Sequence, residues 1–297
     1  MKMGAVFPTC EIGNDPIAIR DWVQTAEALG YDYIVTFDHV LGARHGDRKK
    51  KLTGPYTEMD AFHEPMTLLA YMAGVTKTIG LSTGVLILPQ RQAVLVAKQA
   101  AEIDLLSGGR LRLGLGTGWN HVEYEALGMP FEKRGQILDE QIDVMRRLWN
   151  ENLVDYTGEF HRIDRAALLP RPEGKIPLWF GALSPIPIRR AVRAGDGILL
   201  GAPPIAMQHL FETTLRELDA AGRDRASFGA EAMVDFSQGS EAWGKELEVW
   251  RQSGGTHLSI RAMDTAVEVV GGILMGFDGP QSYIDVLQTF RESVDWS

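Results

Sequence analysis

Eight short apolar or β-branched runs recur along the chain, separated by segments with helical periodicity, and this alternation limits the fold more than any other feature. The first six runs are MGAVF from Met3, YDYIVTF from Tyr31, IGLSTGVLIL from Ile79, RLRLGLG from Arg110, IPLWFG from Ile176 and DGILL from Asp196. Residues 231–236 and 257–260 complete the set. Strands that alternate with helices predict a parallel sheet, and eight pairs predict an α/β protein closed into a (β/α)8 TIM-type barrel. The helices carry their own signals: Asp15 and Pro16 start the first and Gly30 stops it, while Gly108-Gly109 end the helix that begins near Arg91. Further helices are expected at 205–221, 241–251 and 280–294.

Such a barrel takes about 250 residues, and the chain has 297. The surplus falls in two loops, 40–64 and 153–175, neither with the make-up of an independent domain, so one barrel domain is expected over residues 1–297. A doubly wound sheet needs fewer strands and would leave the last third of the chain unassigned.

Charge and cysteine content narrow the function. Thirty Lys and Arg against 39 Asp and Glu leave a formal charge of −9, which disfavours nucleic-acid binding and points to a small-molecule partner. The single cysteine, Cys10, cannot form an internal disulfide. The opening MKMGAVFPTCEIGND lacks the apolar core of a secretory signal, and the richest apolar window, 265–277, is interrupted by Glu268. A soluble, cytoplasmic protein without membrane contact is expected. His45, His63, His121 and His161 lack metal-ligand spacing, so no metal is expected.

Candidate chemistry collects at strand ends, where a parallel barrel opens onto its loops. Asp38 and His39 close the second strand, and an imidazole exchanges protons near neutral pH. As neighbours on an extended chain they point apart, so two separate roles follow more naturally than one dyad. In Thr83-Gly84-Val85, a glycine interrupts a β-branched strand, the mark of a bulge, a packing contact or a backbone pressed on a ligand. The loop Gly116-Thr117-Gly118-Trp119-Asn120 lets backbone approach a planar ring, with Thr117 and Asn120 offering hydrogen bonds. Its spacing is not G-x-G-x-x-G and no capped helix is expected directly after it, which rejects a dinucleotide fingerprint. At Gly181-Ala182-Leu183-Ser184 a helix starts near Pro185, and its free N–H groups favour an anion, with Ser184 as cap. Pro185 and Pro187 thin that donor set. The basic run 43–52, with Arg44, Arg48, Lys49, Lys50 and Lys51, is either a solvated loop or an anion clamp. Cys10, near the end of the first strand, is a buried inert thiol or a pocket residue.

The runs TFDHV at 36, residues 80–135 and PLWFGALSPIPIRRAVRAGDG at 177 together resemble the bacterial luciferase-like flavin and deazaflavin oxidoreductases. The resemblance covers most of the chain and thins after Gly201. It implies a homodimer of barrels that bind the 8-hydroxy-5-deazaflavin coenzyme F-420, or alternatively FMN, at the carboxyl ends of the strands. By the same resemblance Gly84-Val85 is a cis peptide behind the central ring, Asp38 bonds the ring, His39 faces its reactive edge, and Gly181 to Ser184 hold phosphate. Some deazaflavin members carry an acid where this chain has Trp119, which makes Glu11 the candidate for a second proton-transfer group. Tyr56, Phe62, Trp119 and Tyr124 are the expected pocket walls, and the basic loop the expected partner of the polyglutamate tail of F-420. The preferred expectation is hydride transfer between F-420 and a small organic substrate. The alternatives are an FMN-dependent monooxygenase and a cofactor-binding protein without turnover. Glycoside hydrolysis by Glu11 and Glu123 needs two opposed carboxylates, and nothing in the spacing recommends it.

Overall fold

The computed structural model describes residues 1–296 and shows all eight expected strands closed into a parallel barrel. In chain order the strands are β1 (Lys2–Val6), β2 (Tyr33–Thr36), β3 (Gly80–Thr83) with its continuation β4 (Leu86–Ile87), β5 (Leu111–Gly116), the hairpin strands β6 (Val154–Thr157) and β7 (Arg162–Ala166), then β8 (Leu178–Gly181), β9 (Gly197–Leu200), β10 (Gly229–Asp235) and β11 (His257–Arg261). The barrel runs β3-β2-β1-β11-β10-β9-β8-β5, and β3 closes on β5 through Leu81 opposite Leu111 and Ser82 opposite Arg112. The helices are α1 (Pro16–Ala28), α2 (Pro65–Val75), α3 (Ala93–Ser107), α4 (His121–Ala126), α5 (Arg134–Asn150), α6 (Pro185–Ala194), α7 (Pro204–Ala220), α8 (Ser240–Ser253) and α9 (Gly279–Ser293). The Asp15 carboxylate caps α1 through Ile17 N–H at 2.9 Å, and Gly108 ends α3 in the left-handed region at φ +70°.

The strands read as near-continuous apolar runs because both faces are covered. Ile34, Leu81, Leu113, Phe180 and Ile198 join the core beneath the helices, while Val6, Tyr33, Val35, Met233 and Met263 pack together in a second cluster with Phe37 at its edge. Towards the amino end of the strands, Arg112 pairs with Glu231 at 2.6 Å, and its guanidinium lies 4.1 Å from the Trp179 ring and 4.5 Å from the Tyr33 ring. Neighbouring strands make room for these rings with glycine: a Cβ on Gly4 would stand 2.3 Å from Tyr33, and one on Gly229 would stand 2.0 Å from Trp179. With the barrel interior filled, ligand space is left to the carboxyl end, where the loops are.

Residues 37–64 contain neither helix nor strand, whereas the second long loop folds into the β6–β7 hairpin. Glu140 of α5 holds the hairpin tip by accepting from the N–H groups of Glu159, Phe160 and His161 and from His161 Nδ1. Among the described residues no helix is long and apolar enough to cross a membrane.

His257, beside Trp179 and Tyr33, supplies a pH test of this packing. Burial, then the charges of Arg112, Lys2 and the amino terminus, push its imidazole down to about 3. The folded value lies below the unfolded one, so the unfolded chain takes up the proton first as pH falls. Stability from this group is therefore full above about pH 6.5 and declines by roughly 1.4 kcal/mol per pH unit until about pH 3. Urea unfolding at pH 7 and pH 5 is expected to show the native chain losing about 2 kcal/mol more than His257→Gln; equal losses would place His257 in solvent.

Candidate active site

The mouth of the barrel is shaped by the break in its third strand. Between β3 and β4 the Gly84-Val85 peptide is cis, and Gly84 N–H donates to Thr36 O at 2.8 Å. Gly84 lies flat on Val35, where an added Cβ would come within 2.4 Å of Cγ1. The half-buried Val85 side chain fills space over two neighbouring strand ends: a Cβ on Gly116 would meet it at 2.4 Å and one on Gly181 at 2.9 Å. Thr83 is fully buried, and its hydroxyl donates to Gly114 O at 2.8 Å and accepts from Gly114 N–H at 3.0 Å. That side chain clasps β3 to β5.

Asp38 ties the end of β2 to the segment beyond the break. One carboxylate oxygen accepts from Ile87 N–H at 2.8 Å and the other from Arg91 Nη2 at 2.7 Å, while Arg91 Nη1 reaches Glu64 at 2.8 Å. Burial raises the Asp38 carboxyl above its ordinary range against the pull of Arg91 and the Ile87 N–H. Burial also works against the Arg91 charge, but Asp38 and Glu64 outweigh it and raise that group.

His39 has a different hydrogen-bond partner from Asp38. Its Nδ1 lies 3.2 Å from Glu123 Oε2. Glu123 is buried on α4 and also accepts from Gln90 Nε2 at 3.1 Å, Leu41 N–H at 3.1 Å and Val40 N–H. Burial pushes the Glu123 carboxyl up, but His39 and the Leu41 and Val40 N–H groups prevail and hold it below the ordinary glutamate range. Glu123 was not among the expected site residues. Its signal was Asn120-x-x-Glu123, the spacing of a helix start. Contrary to expectation a capped helix does follow the glycine loop: Asn120 Oδ1 accepts from Val122 N–H at 3.1 Å and Glu123 N–H at 3.3 Å, which opens α4. The side chain of Asn120 serves that cap, and its amide donates to Leu41 O at 3.3 Å.

Three rings meet His39 edge to face, Phe62 at 4.8 Å, Tyr56 at 5.2 Å and Trp119 at 5.5 Å between centroids. They leave its side chain 9% exposed. Loop 40–64 carries two of the rings and lies on Trp119, with Gly54 so close that a Cβ there would come within 2.0 Å of the indole. His45 Nε2 fixes the loop to Tyr56 O at 2.9 Å. Tyr124, expected as a wall, is instead fully buried: its hydroxyl donates to Thr117 O at 2.7 Å and its ring packs on Phe131, because α4 turns this residue into the core.

Glu11 does not meet His39 through any hydrogen bond. Its carboxylate accepts from Tyr283 Oη at 2.7 Å, Asp264 N–H at 3.1 Å and Thr265 N–H, which makes it a strut for the loop after β11. Cys10 is half-buried, and burial, with Asp60 and Glu11 adding to it, pushes its thiol far up, away from thiolate chemistry. Ser184 occupies the N-cap position of α6, but its hydroxyl makes no capping bond. Ala182 N–H is spent on Leu199 O at 3.0 Å, and among the described residues the N–H groups of Leu183, Ser184 and Ile186 have no protein acceptor. Arg44, Arg48, Lys49, Lys50 and Lys51 are exposed, with Lys50 3.8 Å from Glu132.

Residues 1–269 match the family model of the luciferase-like monooxygenases. Over 192 residues the chain is 33% identical to the F420-dependent glucose-6-phosphate dehydrogenase of Intrasporangium calvum, an alignment covering 62% of this chain and 53% of that one. It is also 33% identical over 185 residues to the pyrimidine monooxygenase RutA of Allorhizobium ampelinum, covering 61% and 48%. The chain thus aligns with about half the length of each enzyme. The crystal structure of monooxygenase RslO1 from Streptomyces bottropensis superposes with a TM-score of 0.78 at 18% identity, over 99% of this chain and 98% of that one, and shows the same fold.

The Asp38 contacts predict a structural effect. Asp38 is buried and Arg91 half-buried, so Asp38→Asn leaves the guanidinium with one fewer carboxylate, and thermal or urea unfolding is expected to show a loss of roughly 3 kcal/mol without any ligand. An unchanged midpoint would confine Asp38 to ligand contact.

Proposed function

Because the chain belongs to the luciferase-like monooxygenase family, we propose that it is an oxidoreductase working with coenzyme F-420, with His39 exchanging a proton with a small organic substrate. The observation that carries this reading is the state of His39: Nδ1 is engaged by Glu123, while Nε2 has no protein partner among the described residues, within the wall of Tyr56, Phe62 and Trp119. A nitrogen so held can give or take one proton repeatedly.

Two features of the mouth support a flat tricyclic ring as the ligand. Val85 stands over Gly116 and Gly181, where any side chain would displace it, and the free N–H groups of Leu183, Ser184 and Ile186 suit a phosphate. Val85 would support the ring and the 183–186 backbone would hold the phosphate. Bound there, the deazaflavin would supply two-electron hydride chemistry. The protein's share is to hold the substrate among the three rings, to keep water from His39, and to move the matching proton at Nε2. Tyr56, Phe62 and Trp119 favour an apolar or aromatic substrate. FMN-dependent oxygen insertion is the second reading, and the monooxygenase relative favours it.

Titration of purified protein with F-420 and with FMN, each oxidised and reduced, separates the readings. Selective F-420 binding is expected; binding of FMN alone would overturn the coenzyme assignment in favour of the second reading, and binding of neither would remove both. With F-420 bound, His39→Ala is expected to lower turnover by about 10²–10⁴-fold while coenzyme affinity stays within about threefold.

The basic loop yields a separate prediction. Replacing Lys49, Lys50 and Lys51 by alanine is expected to weaken binding of polyglutamylated F-420 about tenfold at low salt and flatten its salt dependence. A tail-less deazaflavin should bind as before. No change with the tailed coenzyme would leave the loop merely solvated.

A further inference from the structure

The geometry points to Glu123 as a positioning residue that decides which nitrogen of His39 carries the proton. Four donors converge on its carboxylate: Oε1 faces the N–H groups of Val40 and Leu41, and Oε2 faces His39 Nδ1 and Gln90 Nε2. A carboxylate only accepts, so Nδ1 must donate and the neutral imidazole must keep Nε2 bare. The proton-accepting nitrogen is then the one without a protein partner. The same logic orients Gln90, whose Nε2 must donate and whose Oε1 is left buried without a partner.

The two sides of Glu123 differ in what they can become. Backbone N–H groups at Val40 and Leu41 are donors permanently. An imidazole can shift its proton from one nitrogen to the other, and the Gln90 amide can turn over. An amide placed at 123 must therefore give its oxygen to Val40 and Leu41 and its NH₂ to His39 and Gln90. His39 Nδ1 becomes an acceptor, and the proton moves to Nε2. Gln90 Oε1 gains a donor in the same exchange. Glu123→Gln thus inverts the tautomer while replacing few contacts, whereas a residue that merely braced residues 40–41 would leave it unchanged.

The tautomer follows from the contacts alone; only its consequence for turnover rests on the function proposed above. Two-bond ¹⁵N–¹H correlation spectra of histidine-labelled protein report it directly. His39 is picked out from the seven histidines by the signal lost in His39→Asn, and the spectra are taken at a pH where that signal has stopped moving. Native protein is expected to show protonated Nδ1 and bare Nε2, Glu123→Gln the reverse, and Glu123→Asp, still acceptor-only, the native pattern. Protonated Nε2 in native protein, or an unchanged tautomer in Glu123→Gln, would overturn the inference. Should Glu123→Gln fail to fold, the native and Glu123→Asp spectra still decide it. In parallel, Glu123→Gln is expected to lower turnover with F-420 at least tenfold with coenzyme affinity unchanged. An inverted tautomer with undiminished turnover would fault the function proposed above and leave the tautomer assignment standing.

Discussion

The third strand of this barrel does not run straight through, and the whole mouth is arranged around its interruption. Thr83 locks the first half to Gly114 of β5 through both the N–H and the carbonyl, and β4 resumes beside Leu115 and Gly116. Between them Val85 is set over Gly116 and Gly181, so glycine at those strand ends follows from Val85. Beyond the break, Ile87, Gln90 and Arg91 supply three donors towards the end of β2 and α4: two to Asp38, and one to Glu123. Moving the break would detach the carboxylate that holds β2 and the one that holds His39.

The two acids therefore have distinct tasks. Asp38 joins backbone and guanidinium and acts on the architecture. Glu123 joins backbone and imidazole, and couples the position of residues 39–41 to the proton state of the ring. Loop 40–64 adds the third component by laying Tyr56 and Phe62 on His39 and resting on Trp119. Such an enclosure strengthens the electrostatics of whatever it contains, because water is kept out.

What could be read from the chain was whatever depends on local periodicity. The eight strands, the caps of α1 and α3 and the placement of Asp38 and His39 at a strand end all rest on neighbouring residues. Gly84 announced a break for the same reason. Partnerships across the fold were not legible: His39 and Glu123 are 84 residues apart, and Glu11 meets Asp264 and Thr265 more than 250 residues away. Tyr124 lies in the core and not on the expected wall, because the phase of the six-residue helix after Asn120 turns the ring inwards. Ser184 holds its expected position without its expected bond, since cap position is a matter of spacing and cap bonding a matter of rotamer.

In the proposed function Val85 and His39 form two sides of one coenzyme site. The most direct measurement is a crystal structure of the protein with oxidised F-420. The deazaflavin ring is expected to lie against Val85, its reactive edge towards His39 Nε2 and its phosphate at the N–H groups of Leu183, Ser184 and Ile186. A ring bound away from the barrel mouth, or one turned so that its reactive edge faces away from His39, would contradict it.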